Sequence, residues 1–411
     1  MRAIDSVKQE IEKELVQPLP KLSIVRLVDL FVEYAYTSRA SDIHIQPEEN
    51  GVRVRFRVEG LLRDVFNKIQ ISNDIHAEII TRIKVISGLR TDEHASPQDG
   101  RFKAAIEEFG NVDVRVSIMP THYGENAILR ILAATKAFVL EDLGFSPADL
   151  ERVERSISRP YGMILANGPT GSGKNTKLYT ILKKLNRPVV SIITVEDPIE
   201  YSLDGITQIQ VNSQVGLTFA NGLRSILRQD PNVIMVGEIR DQETANIAVN
   251  AALTGHLVLS TLHTNDAATT FPRLLDMGVP SFLVASTVNI VMNQRLVRML
   301  CPSCKQSRSL SASETKSLKE ILPVADNLQS KLFSPKGCAK CDQTGYASRI
   351  GVREVLEVND EVRRLVMNRA SAQEIKQAAI KNGMTTMVED GLAKARAGLT
   401  SLEEVLRIIH E

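Results

Sequence analysis

The stretch Gly168-Pro169-Thr170-Gly171-Ser172-Gly173-Lys174 constrains this chain more than any other. It follows the apolar run Met163–Ala166 and precedes the helical pattern Thr176–Leu185. Glycines let backbone N–H groups curl around phosphate oxygens, and the N-terminus of the following helix adds a favourable dipole. Lys174 is placed to reach the β- and γ-phosphates of a nucleotide. The loop therefore predicts a strand–loop–helix unit binding through residues 168–176, Gly168 to Thr176. One position departs from the pattern, which calls for a Ser or Thr hydroxyl after the lysine to ligate magnesium. This chain has Asn175.

The surrounding grammar fits a mostly parallel sheet. Short apolar runs (Met163–Ala166, Val189–Val195, Val233–Val236, Leu257–Thr261) alternate with helical segments such as Asp241–Leu253, closed by Gly255. Upstream the periodicity is different. Val52, Val54, Phe56 and Val58 alternate with Arg53, Arg55, Arg57 and Glu59, and Val112, Val114 and Val116 repeat the device around Asp113 and Arg115. Period two of this kind belongs to half-buried antiparallel strands. Three segments follow: an N-terminal helix and linker (1–20), a small α+β domain (21–135), and a nucleotide-binding domain (136–411). Capping boxes at Ser371…Glu374 and Thr400…Glu403 open helices near the end.

Acids gather where such sheets bind ligands, at the carboxyl ends of strands. Glu196, Asp197 and Glu200 lie in Val-Glu-Asp-Pro-Ile-Glu after the second run, and Glu238 ends Met-Val-Gly-Glu after the third. A carboxylate at Glu238 belongs beside magnesium and the attacking water, the plain alternative being an ordinary strand-end acid. His256 and His263 bracket the fourth run; a buried histidine of this kind is usually a hydrogen-bonded core residue. All four cysteines fall in Cys301-x-x-Cys304 and Cys338-x-x-Cys341, with 33 residues between the pairs. Paired units of this kind suit tetrahedral zinc, and the long intervening loop costs only weakly more to close. A disulfide or redox pair is the alternative, disfavoured in the cytosolic setting that the N-terminus suggests.

Composition removes other classes. Fifty Lys and Arg against 49 Asp and Glu give a net charge of +1, which argues against wrapping a nucleic acid. Aromatics are 4% with no Trp, too few for stacking platforms. No run reaches the ~18–20 apolar residues of a membrane span, and residues 1–17 lack an apolar signal core. The expected location is cytosolic.

In the order and content of its motifs, the chain resembles the secretion ATPase superfamily, specifically the type II secretion and type IV pilus assembly ATPases. The resemblance rests on Ser-Asp-Ile-His-Ile (41–45), Asp-Gly-Arg (99–101), Val-Asp-Val-Arg-Val-Ser (112–117), the glycine loop (168–174) and Thr-Val-Glu-Asp-Pro-Ile-Glu-Tyr (194–201). It continues through Leu-Arg-Ser-Ile-Leu-Arg-Gln-Asp-Pro (223–231), Gly-Glu-Ile-Arg-Asp (237–241), residues 253–267, Gln294-Arg-Leu-Val-Arg298 and the cysteine pairs.

That resemblance implies a RecA-like P-loop ATPase domain, a preceding PAS-like α+β domain and a zinc-binding module over 301–341. It also implies a hexameric ring that uses ATP, Mg2+ and Zn2+. It makes Lys174 and its loop the Walker A, Glu196 to Glu200 the Asp box, Glu238 the Walker B and His256 to His263 the His box. Arg101, Arg115, Arg224 and Arg228 match family arginines that reach the nucleotide, some across a domain or subunit boundary; from the sequence alone each is equally a surface charge. The implied activity is ATP hydrolysis driving pilin or pseudopilin assembly through a polytopic inner-membrane platform protein, at the cytoplasmic face of the inner membrane. The cysteine module favours assembly over retraction. Asn175 and Lys177 stand where the family usually has threonines, and Asn126 where an arginine commonly follows Gly-Glu. Asn175 leaves a weakly active or inactive nucleotide-binding paralogue with a structural or regulatory role as the alternative, beside a retraction motor. The N-terminal docking domain through which longer members are recruited is expected to be absent, and a cytoplasmic adaptor stays among the implied partners.

Overall fold

The computed structural model describes residues 4–58, 60–66, 71–106, 110–132, 139–169, 171–310, 314 and 332–410. Thr170 of the glycine loop and most of the segment between the cysteine pairs lie outside these residues. The chain forms two compact units, 1–136 and 137–411.

In the first unit, helices α1 (Ile4–Leu15) and α2 (Ile24–Thr37) precede strands β1 (Ala40–Glu48), β2 (Gly51–Val58) and β3 (Leu61–Asp64). Helix α3 (Asn73–Ile86) and strands β4 (Gln98–Ile106), β5 (Gly110–Thr121) and β6 (Gly124–Leu132) follow. Val7, Ile11 and Leu15 are buried, as their spacing predicts, whereas Ile4 is exposed. Ser23 caps α2 by accepting a bond from the Arg26 N–H. The alternation of Val52–Val58 belongs to β2, which pairs with β1 across a turn at Glu49–Asn50 that Gly51 leaves with a positive φ. The sheet runs β3-β2-β1-β6-β5-β4, every neighbour antiparallel. Its buried face carries Ile43, Ile45, Val54, Phe56, Val112, Val114 and Val116. On the other face, one register row aligns Arg101, Arg115, Arg130, Asp42 and Arg57 across five strands. Asp42 holds Arg130 at 2.8 Å and Arg57 at 3.6 Å, and this pairing keeps its carboxyl below the usual range even though burial pushes the other way.

The second unit opens with α4 (Pro147–Ile157), β7 (Gly162–Asn167), α5 (Lys174–Leu185), β8 (Ile192–Glu196) and β9 (Thr207–Gln210). It continues with α6 (Phe219–Ile226), β10 (Val233–Val236), α7 (Gln242–Leu253), β11 (Leu257–Leu262), α8 (Thr270–Asp276) and α9 (Ser281–Thr287). Strands β12 (Val288–Leu300), β13 (Gln306–Arg308), β14 (Leu332–Ser334) and β15 (Tyr346–Glu357) lead to helices α10 (Asp360–Met367), α11 (Ala372–Lys381), α12 (Met387–Arg396) and α13 (Leu402–His410). The large sheet has the order β15-β12-β7-β11-β10-β8-β9. All neighbours are parallel except β12 and β15. Its central strands are buried along their whole length, as parallel strands covered on both faces must be. The Ser371–Glu374 capping box forms. At α13 the side chain meeting the Glu404 N–H is Ser401, not Thr400, whose hydroxyl donates instead to the Arg298 carbonyl. A capping box absent from the sequence reading, Thr386 with Glu389, opens α12.

Candidate nucleotide site and cysteine cluster

Strand β7 delivers the glycine loop to the carboxyl edge of the sheet, between β11 and β12. Gly168, Gly171 and Gly173 have φ of 132°, 78° and 82°, conformations that side chains avoid. Helix α5 begins at Lys174. The lysine folds back so that Nζ donates to the carbonyls of Gly168 (2.6 Å) and Pro169 (2.9 Å). Its pKa is lowered by burial, with Glu238 opposing. A phosphate entering the loop gives this ammonium a better partner than two carbonyls. The buried Ser172 hydroxyl has no hydrogen-bond partner among the described residues. The glycine conformations, helix N-terminus and tethered lysine fit a nucleotide polyphosphate. Asn175 and Glu238 are the neighbouring oxygen-bearing side chains that would hold a magnesium ion.

Parallel pairing brings the acids to the same edge. Glu196 ends β8 and is buried; Thr194 (2.6 Å), Gln208 (3.1 Å) and the Tyr179 hydroxyl all donate to it. Burial raises its pKa, and those three bonds oppose the rise. Tyr179 lies beneath, pushed up by burial and by the Glu196 charge, and its oxygen also accepts from the Glu200 N–H. Glu200 accepts a bond from Asn175 Nδ2 at 3.0 Å, which joins the glycine-loop helix to the acidic turn. Glu238, just past β10, faces Arg240 at 2.7 Å and His263 Nε2 at 3.2 Å. His263 ends β11's crossing into the same edge. His256 bonds the Ala251 carbonyl through Nδ1 and belongs to the end of α7.

The arginines are placed differently. Arg224 binds Glu243 and Asn221, and Arg228 bonds the Arg224 carbonyl and Ser225. Both are exposed, and among the described residues neither bonds the glycine loop or Glu238. Arg101 and Arg115 are register neighbours in the first unit. Sequence reasoning did not single out Tyr179, Thr194 and Gln208, the cage of Glu196, or Arg240. No spacing rule marks them, because β8, β9 and α5 meet only in three dimensions.

Lys177 carries a stability prediction. It is buried and its Nζ has no partner among the described residues. Burial lowers its pKa well below the ordinary value, and Arg353 and Lys174 push the same way. Between its folded pKa and the unfolded value of ~10.4, the unfolded chain holds a proton that the folded chain rejects, so stability rises with pH. Lys177→Met will raise the stability of this unit at neutral pH by about 1–3 kcal/mol, the cost of an unsatisfied buried polar group. That advantage will shrink as pH rises toward ~10. Thermal unfolding of both proteins at pH 7 and 9 measures it; an equal or growing gap at pH 9 refutes the assignment.

The four cysteines converge. Sγ separations are 3.9 Å for Cys301–Cys338, 3.7 Å for Cys304–Cys341 and 3.6 Å for Cys338–Cys341, and all four lie within 4.8 Å of one another. Zinc–thiolate bonds of ~2.3 Å in a tetrahedron require sulfurs ~3.8 Å apart. Burial raises the Cys341 thiol, but N–H groups of Cys338 and Gly345 outweigh it and hold the pKa at about 7. A thiol so placed is ready to bind as thiolate. The donor set and its spacing fit one zinc ion.

Comparison with known proteins gives the lineage. The family model described as "Type II/IV secretion system protein" matches residues 20–407. Type II secretion system protein E of Xanthomonas campestris is 46% identical over 94% of this chain and 68% of its own length. The type IV pilus assembly ATPase PilB of Thermus thermophilus is 44% identical over 98% of this chain, which spans only 45% of that relative. Among solved structures, the pilus retraction motor PilT with bound ADP superposes with a TM-score of 0.66 at 25% identity, covering 92% of this chain and 96% of that one. The Legionella pneumophila ATPase DotB, at 23% identity and TM-score 0.71 over 96% of this chain and 98% of its own, shares the fold. The chain belongs to the type II/IV secretion system protein family.

Proposed function

We propose that this chain is the ATP-hydrolysing motor subunit of a type II secretion or type IV pilus assembly machine, working as a homo-oligomer, most simply a hexamer. The observation that carries this is the convergence of Lys174, Glu238 and His263 on one sheet edge, in a chain 46% identical to a type II secretion system protein E. The loop cradles the triphosphate, Lys174 leaves its carbonyl partners for the β- and γ-phosphates, and Glu238 orients the attacking water. Asn175 and Glu238 would hold magnesium, which would supply charge neutralisation at the phosphates. Arg101, Arg115, Arg224 and Arg228 act on the nucleotide, some of them across a subunit boundary, so that turnover answers to assembly. The force passes to a polytopic inner-membrane platform protein, and the motor works peripherally at the cytoplasmic face of that membrane. No helix among the described residues is long and apolar enough to cross a membrane.

Asn175 favours one second reading, a nucleotide-binding paralogue with little or no turnover, because a carboxamide is longer than a hydroxyl and magnesium tolerates little deviation from octahedral geometry. Steady-state ATPase measurement with magnesium separates the two. Parent turnover abolished by Lys174→Ala supports the motor. ATP binding without turnover in both the parent and Asn175→Thr supports the paralogue.

A further inference from the structure

Behind the glycine loop sits Gln294, buried in β12 and paired in register with Arg353 of β15. The loop is built around it. A Cβ at Gly168 would overlap the Gln294 carbonyl, one at Gly173 would stand 2.8 Å from Gln294 Nε2, and one at Gly351 would stand 2.9 Å from its Cδ. Two glycines thus make room for the Gln294 side chain and a third for its backbone carbonyl. Its amide has a defined sense. Arg353 has donors only, and its Nε donates to Gln294 Oε1 at 2.8 Å. That leaves Nε2 to donate to the Ser172 carbonyl, and it does.

Arg353 is itself fixed. Its guanidinium donates to the carbonyls of Leu143, Gly144 (2.7 Å) and Gly351 (3.2 Å) and lies 4.9 Å from the Phe145 ring centroid. Burial lowers its pKa to about 10, with Asp390 and Asp149 opposing, so it stays charged at neutral pH.

The consequence follows from peptide geometry. In a trans peptide the carbonyl oxygen and the next N–H point in opposite directions. A donor that captures the Ser172 carbonyl from behind therefore turns the Gly173 N–H away from Gln294, toward the face that receives phosphate. We infer that Gln294 is a positioning residue of the nucleotide site: it sets the Ser172–Gly173 peptide in the anion-binding orientation before nucleotide arrives, and Arg353 sets the sense of the Gln294 amide. This rests on the nucleotide-binding reading above.

Gln294→Glu isolates the donor. The carboxylate has the same shape and still accepts from Arg353, but it cannot donate to Ser172, and its oxygen repels that carbonyl. ADP affinity, measured calorimetrically with magnesium, is expected to fall about 10- to 100-fold, while the thermal midpoint of the nucleotide-free protein stays close to the parent's. Gln294→Met, uncharged and lacking the donor, is expected to weaken ADP similarly. Arg353→Lys, still a donor-only group, should retain more ADP affinity than Arg353→Met. A purely structural role would move the midpoint and leave the affinity of the folded protein alone. Equal ADP affinity in parent and Gln294→Glu overturns the inference while leaving the motor reading intact, as does failure of both Gln294 variants to fold. A parent that binds no ADP overturns both.

Discussion

Glu238→Gln will cut steady-state ATP turnover by about 100- to 1000-fold, the scale of losing one charge-stabilising group at a transition state. ATP affinity will stay within a few-fold of the parent. Glutamine keeps the shape and the hydrogen-bonding reach of the side chain but removes the negative charge on which the proposed water-orienting role depends. The surroundings sharpen this expectation. Glu238 is held by Arg240 at 2.7 Å and His263 at 3.2 Å, so the variant stays in position, and Lys174 keeps its own partners, the carbonyls of Gly168 and Pro169. Glu196 behaves differently, because Thr194, Gln208 and Tyr179 already occupy its oxygens. Single-turnover and binding measurements on Glu238→Gln decide the matter. Turnover within about threefold of the parent would move the water-orienting role to Glu196 or Glu200.

Freshly purified protein will carry one zinc per chain, and its removal by a strong chelator will have the largest structural effect of any treatment. Structural zinc binding is worth an apparent ~10–16 kcal/mol in small thiolate sites. The cysteine cluster also borders the C-terminal helices. Leu332 of β14 packs with Leu392, Ala395, Leu402 and Val405, the Lys305 ammonium donates to the Gly398 carbonyl at 2.8 Å, and Tyr346 shares a hydrogen bond with Ser401. Metal loss therefore loosens α12 and α13 as well as the module. Metal analysis gives the stoichiometry, and hydrogen exchange over 387–410 before and after chelation gives the consequence. Substoichiometric zinc, or unchanged protection in metal-free protein, would show that the cysteines hold no structural ion.

The parts of this molecule that obey a local rule were legible in the sequence. Glycine spacing marked the loop, period two marked β2 and β5 of the first unit, and paired cysteines marked the cluster. The register row joining Arg101 to Arg115 and Arg130 was not legible, since pairing between strands distant in sequence is settled by the whole sheet. The hairpin turning at Glu49–Asn50 was not read from the sequence, although the alternation changes phase there, from Ile43 and Ile45 to Val54 and Phe56. Gln294 is the sharpest case. Nothing in a strand of thirteen mostly apolar residues separates it from a core polar residue until β7 and β15 are placed on either side.

Strand β12 also fixes a length. Gln294, behind the glycine loop, and Cys301, at the cysteine cluster, are seven positions apart on nearly one extended segment, roughly 23 Å at ~3.3 Å per residue. β12 is hydrogen-bonded to β7 up to Asn293 and to β15 from Ile290 to Leu300, so it cannot slide without breaking a ladder. The two ends behave as fixed points on a ruler. Chemistry at one end cannot stretch the distance to the other; it can only tilt or carry the bar as a whole, so whatever is fastened at the cysteine end moves as a rigid arm.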